Sequence, residues 1–288
     1  MITLKAPAKI NWSLHVRGRR PDGYHDIISL MQCIGLYDTL IFENSSDIEL
    51  HSGMEIPAEQ NLVYRAAIAL RKAAGTNAGA RINLEKHIPS GAGLGGGSSD
   101  AACTLIGLNK LWSLDLGIDE LENIGASLGS DVPFFFHCPA AVVSGRGEIL
   151  HAQHVAGSRV LLLVKPEVSI PTAWAYKELA ESRRAESAAG YLTNSDEKLN
   201  NIKLIVDALN EDRISGLHTL LENDFERIAA GRYPVINEIR EKMFAAGAHA
   251  AMLSGSGSAI FGVFKDVGSA SKASRFFSSF WSRVVTTI

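Results

Sequence analysis

Cysteine is scarce in this sequence. Its 288 residues include three, Cys33, Cys103 and Cys138, which are far apart and form no Cys-x-x-Cys pair. An odd, scattered set argues against a disulfide framework or a zinc site and fits a reducing compartment. Long apolar runs are missing too. None approaches the ~18 residues that cross a bilayer, and the opening MITLKAPAKINWSLH has no signal-peptide core. The expectation is a cytoplasmic protein without a membrane partner. Charge of one sign is also lacking: 31 acidic and 28 basic residues leave a net −3. That gives no electrostatic footprint for nucleic acid, so any polyanionic ligand must be met by local basic groups. No Gly-Lys pair occurs anywhere, which removes the Walker loop GxxxxGK[ST]. No His, Cys and Asp cluster has structural-metal spacing, so no protein-held metal is expected.

What is present is an ordinary globular composition, 46% apolar and 20% charged. The length suits one large domain or two, and HVAGS near 156–158 is a plausible boundary, giving 1–156 and 157–288. After Pro7, Ile10, Trp12, Leu14 and Val16 alternate with Lys9, Asn11, Ser13 and His15. Period two predicts a strand with one buried side. RPDGYH predicts a turn, and IISLMQCIGLYDTLIFE a strand, a short break and a second strand. A helix is expected over Asn61–Gly75, capped by Asn61 and ended by Gly75. ARINLEKHIP reads as a strand closed by Pro89, and AAVVSGRGEIL as two short strands around Gly145. Further on, RVLLLVKP is a buried strand, TAWAYKELAESRRA a helix, and 186–200 a polar loop. AAMLSGSGSAIFGVF is strand, Gly/Ser turn, strand. Helices and strands mix without steady βαβ alternation, which favours α+β.

The densest glycine is in PSGAGLGGGSSDAA, residues 89–102, with five glycines in fourteen residues. Glycine lets backbone N–H groups approach an anion, because no Cβ intervenes and positive φ is cheap. Ala101, Leu105, Leu108 and Trp112 predict a helix starting near Ser98 or Ser99. Its orphan N–H groups and positive dipole end would face the loop. This is the shape of a triphosphate cradle. The dinucleotide pattern GxGxxG is formally met by Gly91, Gly93 and Gly96. However, Lys86, His87, Pro89 and Ser90 stand where an apolar strand should run into the first glycine.

The loop resembles the phosphate motif of the GHMP kinases (galactose, homoserine, mevalonate and phosphomevalonate kinases). APAKINWSLHVRGRRPDGYHDI, GSDVPFF and SGSGSAIFGVF narrow the resemblance to one branch, the 4-diphosphocytidyl-2-C-methyl-D-erythritol kinases of the non-mevalonate isoprenoid pathway. The resemblance implies a two-domain α+β fold, an N-terminal ATP-binding domain and a ferredoxin-like C-terminal domain with the site in the cleft between them. It implies transfer of the ATP γ-phosphate to the 2-hydroxyl of a cytidine-diphosphate-linked methylerythritol. Asp131 then stands as general base, with Lys9 as its electrostatic partner. For ATP, the backbone of Pro89, Ser90, Gly91, Ala92, Gly93 and Leu94 continues through Gly95, Gly96 and Gly97 to Ser98 and Ser99. Asn61 and Lys86 match the adenine pocket. Mg2+ is expected only as the counter-ion of ATP, near Ser98 or Ser99, and Asp100 as a first-turn helix acid near the nucleotide. By the same resemblance, Tyr24 is expected to stack on the cytosine, His25 to bond its edge, Tyr176 (with Trp174 close by) to close the other ring face, and Asn11 and Thr172 to contact substrate. A monomer or weak homodimer is expected. The alternatives are another GHMP kinase of the homoserine or mevalonate type, or a non-catalytic nucleotide-binding protein on the same fold.

Overall fold

The first two strands, β1 (Ile2–Arg19) and β2 (His25–Ser45), pair antiparallel from Ile2↔Phe42 to Arg19↔His25. The structure is a computed structural model describing residues 1–20, 22–137, 139–188 and 195–288. The break expected in IISLMQCIGLYDTLIFE is a bulge inside one long strand. Pro7 pairs with Tyr37 and Ala8 with Ile34, leaving Gly35 and Leu36 between. Pro7 has no N–H for the ladder, and a bulge accommodates that. The sheet also forks there. β4 (Gly79–Glu85) pairs with Thr39–Ser45 of β2, while β5 (Ala140–Gly145) pairs with Ile27–Gln32. β3 (Ile48–His51) lies parallel to β4, and β6 (Ile149–Ala152) pairs with β5. The seventh strand, β8 (Glu222–Asn223), runs parallel to β1 at Ser13 and Leu14. A second sheet is wholly antiparallel, in the order β11 (Trp281–Thr286), β7 (Val160–Lys165), β10 (Ile260–Phe264), β9 (Ala250–Leu253).

Helices α1 (Leu62–Ala73), α2 (Gly96–Leu111) and α3 (Ile118–Leu128) cover the first sheet through a core containing Phe42, Ile82, Leu105 and Phe134. Asn61 caps α1 as expected, its Oδ1 accepting from Val63 N at 2.9 Å, a contact worth about 1 kcal/mol. Helices α4 (Thr172–Ala188), α5 (Ser195–Asn210), α6 (Asp224–Arg232), α7 (Val235–Ala245) and α8 (Val267–Ser274) belong to the second half. The apolar face of β1 seats between the sheets: Ile10 and Trp12 share a core with Leu161 and Phe261. The Trp12 and Phe261 rings meet edge to face at 5.5 Å and 84°. Such a pair adds about 1 kcal/mol to the burial itself. The mixture of sheets and helices is the expected α+β class.

Four expectations need correction. The polar face of β1 is not solvated: Lys9, Asn11, Ser13 and His15 are all buried, because the glycine loop and Asp131 lie against Lys9, and Glu222 and Asp224 against His15. α2 begins at Gly96, two residues before Ser98, after Gly95 turns the chain at φ +71. Much of the loop expected over 186–200 is helix, since α4 runs to Ala188 and α5 starts at Ser195; 189–194, with Gly190, lie outside the described residues. Cys33 is disulfide-bonded, while Cys103 is a buried free thiol; Cys138 and Pro21 lie outside the described residues. Among the described residues, no helix is long and apolar enough to cross a membrane.

Candidate active site

Lys9 lies on the buried polar face of β1. Its backbone N–H donates to Leu94 O at 2.9 Å, which fastens the glycine loop to the strand. Its ammonium donates to Asn11 Oδ1 at 2.7 Å and stands 3.5 Å from Asp131 Oδ2. Asn11 Nδ2 in turn donates to Ser29 Oγ at 2.7 Å, and Ser29 Oγ to Ser13 O at 2.5 Å. A buried cation needs such partners, since an uncompensated one is expelled or neutralised. Asp131 sits between α3 and a 3-10 turn, Pro133–Phe136. Val132, Phe134 and Phe135 anchor this segment in the first core. Its carboxylate stays one-third exposed in the cleft.

The loop is held from both sides. Ala92 and Leu94 insert their side chains into the inter-sheet core, while Gly91, Gly93 and Gly95 take φ of +62, +76 and +71. Beneath it lies the second glycine turn. Ser254 Oγ donates to Gly93 O at 3.0 Å, and Ala259 N to Ala92 O at 3.0 Å. A Cβ on Gly95 would come within 2.9 Å of Lys9 Cγ. Gly96 and Gly97 open α2, so their amides stand among its unsatisfied N–H groups. Ser98 is half-buried. Ser99 is buried and its hydroxyl lacks a protein partner, which leaves it an oxygen for a ligand or a bound water. Pro89 is half-buried and Ser90 exposed at the loop entrance. This backbone cradle and the orphaned hydroxyl fit a polyphosphate.

Asp100 is not the first-turn helix acid expected: with α2 starting at Gly96, it falls beyond the first turn. It is buried, and its Oδ2 accepts from Lys86 Nζ at 2.7 Å. Lys86 also pairs with Asp38, whose other oxygen accepts from His87 N at 2.6 Å and Ile88 N at 2.9 Å. Burial, only partly offset by Lys86, pushes the Asp100 carboxyl up to about 7. The folded state therefore holds a proton that the unfolded chain, titrating near 4, releases. Stability associated with this group is full below pH 4 and is lost as pH rises through 7. Asp100→Asn removes the effect. Urea unfolding at pH 5 and pH 8 is expected to show the variant gaining on the wild type at the higher pH; parallel curves would contradict the assignment. Asp38 was missed by sequence reasoning. Its one signal is a carboxylate inside the otherwise apolar run IGLYDTLIF.

On the other side of Asp131 lie the aromatic residues. His25 stacks on Tyr176 at 4.6 Å and 20°, and Tyr176 meets Phe225 edge-on at 4.8 Å. Burial, then the nearby charge of Asp131, pushes the Tyr176 phenol up to about 12, so it acts as a neutral donor. Burial, followed by the charges of Arg19 and Arg183, lowers the pKa of His25. Tyr24 is half exposed, with the Arg146 guanidinium 5.0 Å from its ring centroid. Trp174 instead meets Tyr233. Thr172 Oγ1 and Ser256 Oγ are 2.9 Å apart, linking the start of α4 to the second glycine turn.

Two cavities meet at this point. One of about 180 Å3 is bordered by Lys9, Asn11, Gly91, Gly93, Gly95 and Gly257. The other, about 610 Å3, is bordered by Tyr24, His25, Arg146, Lys177 and Arg184. Ile27, Asp131, Thr172 and Tyr176 line both. Asn61, Lys86, Ser98 and Ser99 line neither. Sequence reasoning missed Arg19, Arg146, Lys177 and Arg184, the cations of the larger cavity. A basic residue on a turn or helix face carries no signal until the fold gathers several. Among the described residues no cluster of His, Cys, Asp and Glu has metal-holding geometry.

Residues 61–138 match the GHMP kinases N terminal domain, and residues 205–283 the GHMP kinases C terminal domain. A 4-diphosphocytidyl-2-C-methyl-D-erythritol kinase from Thermodesulfovibrio yellowstonii is 48% identical over 289 residues, covering 100% of this chain and 98% of the relative. The enzyme of that name from Geobacter metallireducens is 41% identical, covering 91% and 89%. A solved 4-(cytidine 5'-diphospho)-2C-methyl-D-erythritol kinase superposes with a TM-score of 0.83 at 33% identity, covering 99% of both chains. A homoserine kinase from Cytophaga hutchinsonii, at 18% identity and TM-score 0.75, covers 100% and 94% and shares the fold. With a relative this similar along its whole length, the chain belongs to the 4-diphosphocytidyl-2-C-methyl-D-erythritol kinase family of the GHMP kinases.

Proposed function

We propose that the chain phosphorylates the 2-hydroxyl of 4-diphosphocytidyl-2-C-methyl-D-erythritol with ATP, using Asp131 as general base and Lys9 as its electrostatic partner. The observation that carries this reading is the Lys9 ammonium, 3.5 Å from an Asp131 carboxylate that borders both cavities. Phosphoryl transfer needs positioning and charge neutralisation more than covalent help. The glycine amides and the start of α2 cradle the phosphates. Asp131 accepts the hydroxyl proton while the substrate oxygen bonds the γ-phosphorus. The bond from that phosphorus to the bridging oxygen breaks, and ADP leaves with the electron pair. Lys9 stabilises the negative charge on the attacking oxygen and the transferring group. A magnesium ion carried by ATP would spread the charge of the β- and γ-phosphates, with Ser98 and Ser99 as the hydroxyls to hold it or its water. Asn61 and Lys86 serve on the adenine side; Lys86 does so from a side chain already bound to Asp38 and Asp100.

The larger cavity takes the cytidine diphosphate end. Tyr24 offers a ring face, His25 an edge donor or acceptor, and Lys177 and Arg184 offset the diphosphate charge. Asn11 and Thr172 border the methylerythritol. The reading divides the chain into an ATP-binding half, 1–156, and a second half, 157–288. ADP release is the test, with the cytidylyl substrate, homoserine and mevalonate compared at equal concentration. Neither competitor has a base to stack or a diphosphate to neutralise. The expected preference in kcat/KM is a thousandfold or more for the cytidylyl substrate, the scale reached when a site's polar groups are left unpaired. Turnover of homoserine or mevalonate with the cytidylyl compound ignored would overturn the reading.

A further inference from the structure

We propose that Arg146 is a positioning residue for substrate, holding the Tyr24 ring in the pose that receives the base. The inference rests on the reading that Tyr24 stacks on the cytosine. Tyr24 sits on an exposed turn between β1 and β2, and a half-exposed ring there has little to hold it. The turn's own bonds fix only its backbone: Arg20 N donates to Tyr24 O at 2.7 Å, and Tyr24 N to Asp22 Oδ1 at 3.1 Å. The ring's neighbour is the guanidinium of Arg146, 5.0 Å from its centroid. Arg146 comes from the separate turn between β5 and β6.

That second turn is built to hold its place. Gly145 and Gly147 flank Arg146 at φ +69 and +127. Arg146 N donates to Glu148 Oε2 at 2.7 Å. Glu148 Oε1 faces Arg20 Nη1 at 3.9 Å, and Arg20 also pairs with Asp22 and Asp26. The two turns are thus joined twice, once by Glu148 with Arg20 and once by Arg146 with Tyr24. The same turn abuts the segment carrying the base, since a Cβ on Gly147 would stand 2.9 Å from Ser130 O. One turn therefore touches both the substrate-binding turn and the residue before Asp131. A cation over an aromatic face is attracted by the ring quadrupole, more strongly where water is excluded, as when substrate covers the site. An unbraced Tyr24 would have to be ordered at the moment of binding, and affinity would fall by that cost.

The test is steady-state kinetics on wild type, Arg146→Met, Arg146→Lys, Tyr24→Leu and the Arg146→Met/Tyr24→Leu double variant, with thermal unfolding of each. Methionine keeps the apolar stem and removes the charge. Arg146→Met is expected to raise KM for the cytidylyl substrate roughly 3- to 30-fold, with kcat and KM for ATP within about twofold of wild type. Arg146→Lys recovers much of the loss. In the Tyr24→Leu background, where no ring remains to be held, Arg146→Met adds less than about twofold. Two results overturn the proposal while leaving the stacking role intact. One is an unchanged KM in Arg146→Met beside a raised KM in Tyr24→Leu. The other is the same penalty in both backgrounds, which makes Arg146 a direct ligand of the substrate. An unchanged KM in Tyr24→Leu removes the stacking role and this proposal together.

Discussion

Asp131→Asn is expected to lower kcat by roughly 10^2- to 10^4-fold, the usual contribution of a positioned base, while the protein stays folded and still binds ATP. Asparagine matches aspartate in size but cannot take a proton from the acceptor hydroxyl. The fold survives because the surrounding anchors are untouched: Val132, Phe134 and Phe135 remain in the core. The Lys9 ammonium loses its carboxylate neighbour but keeps the bond to Asn11 Oδ1. As Asp131 is one-third exposed, water screens the lost attraction, and the stability change should be about 1 kcal/mol or less. Single-turnover rates with saturating ATP, measured beside thermal unfolding, separate the two effects. A rate within tenfold of wild type would remove Asp131 from the role of base.

Gly93→Ala is expected to damage stability and ATP use together. A Cβ at this position would lie 2.0 Å from Ser254 O and 2.9 Å from the same carbonyl carbon. Both are backbone atoms, so no side-chain rotation relieves the clash. The φ of +76 adds a further penalty of about 1–2 kcal/mol for a residue with a Cβ. Overpacking of a tight contact contributes about 1–3 kcal/mol more. The two glycine turns must separate, and the bonds from Ser254 Oγ to Gly93 O and from Ala259 N to Ala92 O go with them. The expected result is a loss of about 2–5 kcal/mol in urea unfolding, with KM for ATP raised tenfold or more. Gly216→Ala is the control, because a Cβ there meets nothing within 4 Å. If both variants unfold alike, the packing of the two turns does not hold the loop.

Local chemistry made part of this molecule legible in advance. The alternation after Pro7, the Asn61 cap and the glycine-serine run each have short-range causes, and the structure shows the elements they predict. The helix start was misplaced because glycine is a poor helix former in general. At the first turn, though, Gly96 and Gly97 leave their N–H groups open to a ligand. The polar face of β1 was misjudged for another reason. Period two says which residues share a face, not whether other segments will cover it. Lys9, Asn11, Ser13 and His15 look like a solvated stripe until the glycine loop and Asp131 close over one end and Glu222 and Asp224 over the other. The pairing of Lys86 with Asp38 and Asp100 joins β2, the end of β4 and α2, and no local pattern announces it. The gathering of Arg19, Arg146, Lys177 and Arg184 around one cavity is likewise a product of topology.

The most direct measurement is the structure of the product. The protein is incubated with ATP and the cytidylyl substrate, and phosphorus resonances are followed as ADP forms. The account predicts one new phosphate monoester, on the 2-hydroxyl, equal in amount to ADP, with the cytidine diphosphate linkage intact. Release of inorganic phosphate with the acceptor unchanged, or a monoester on another hydroxyl, would contradict it.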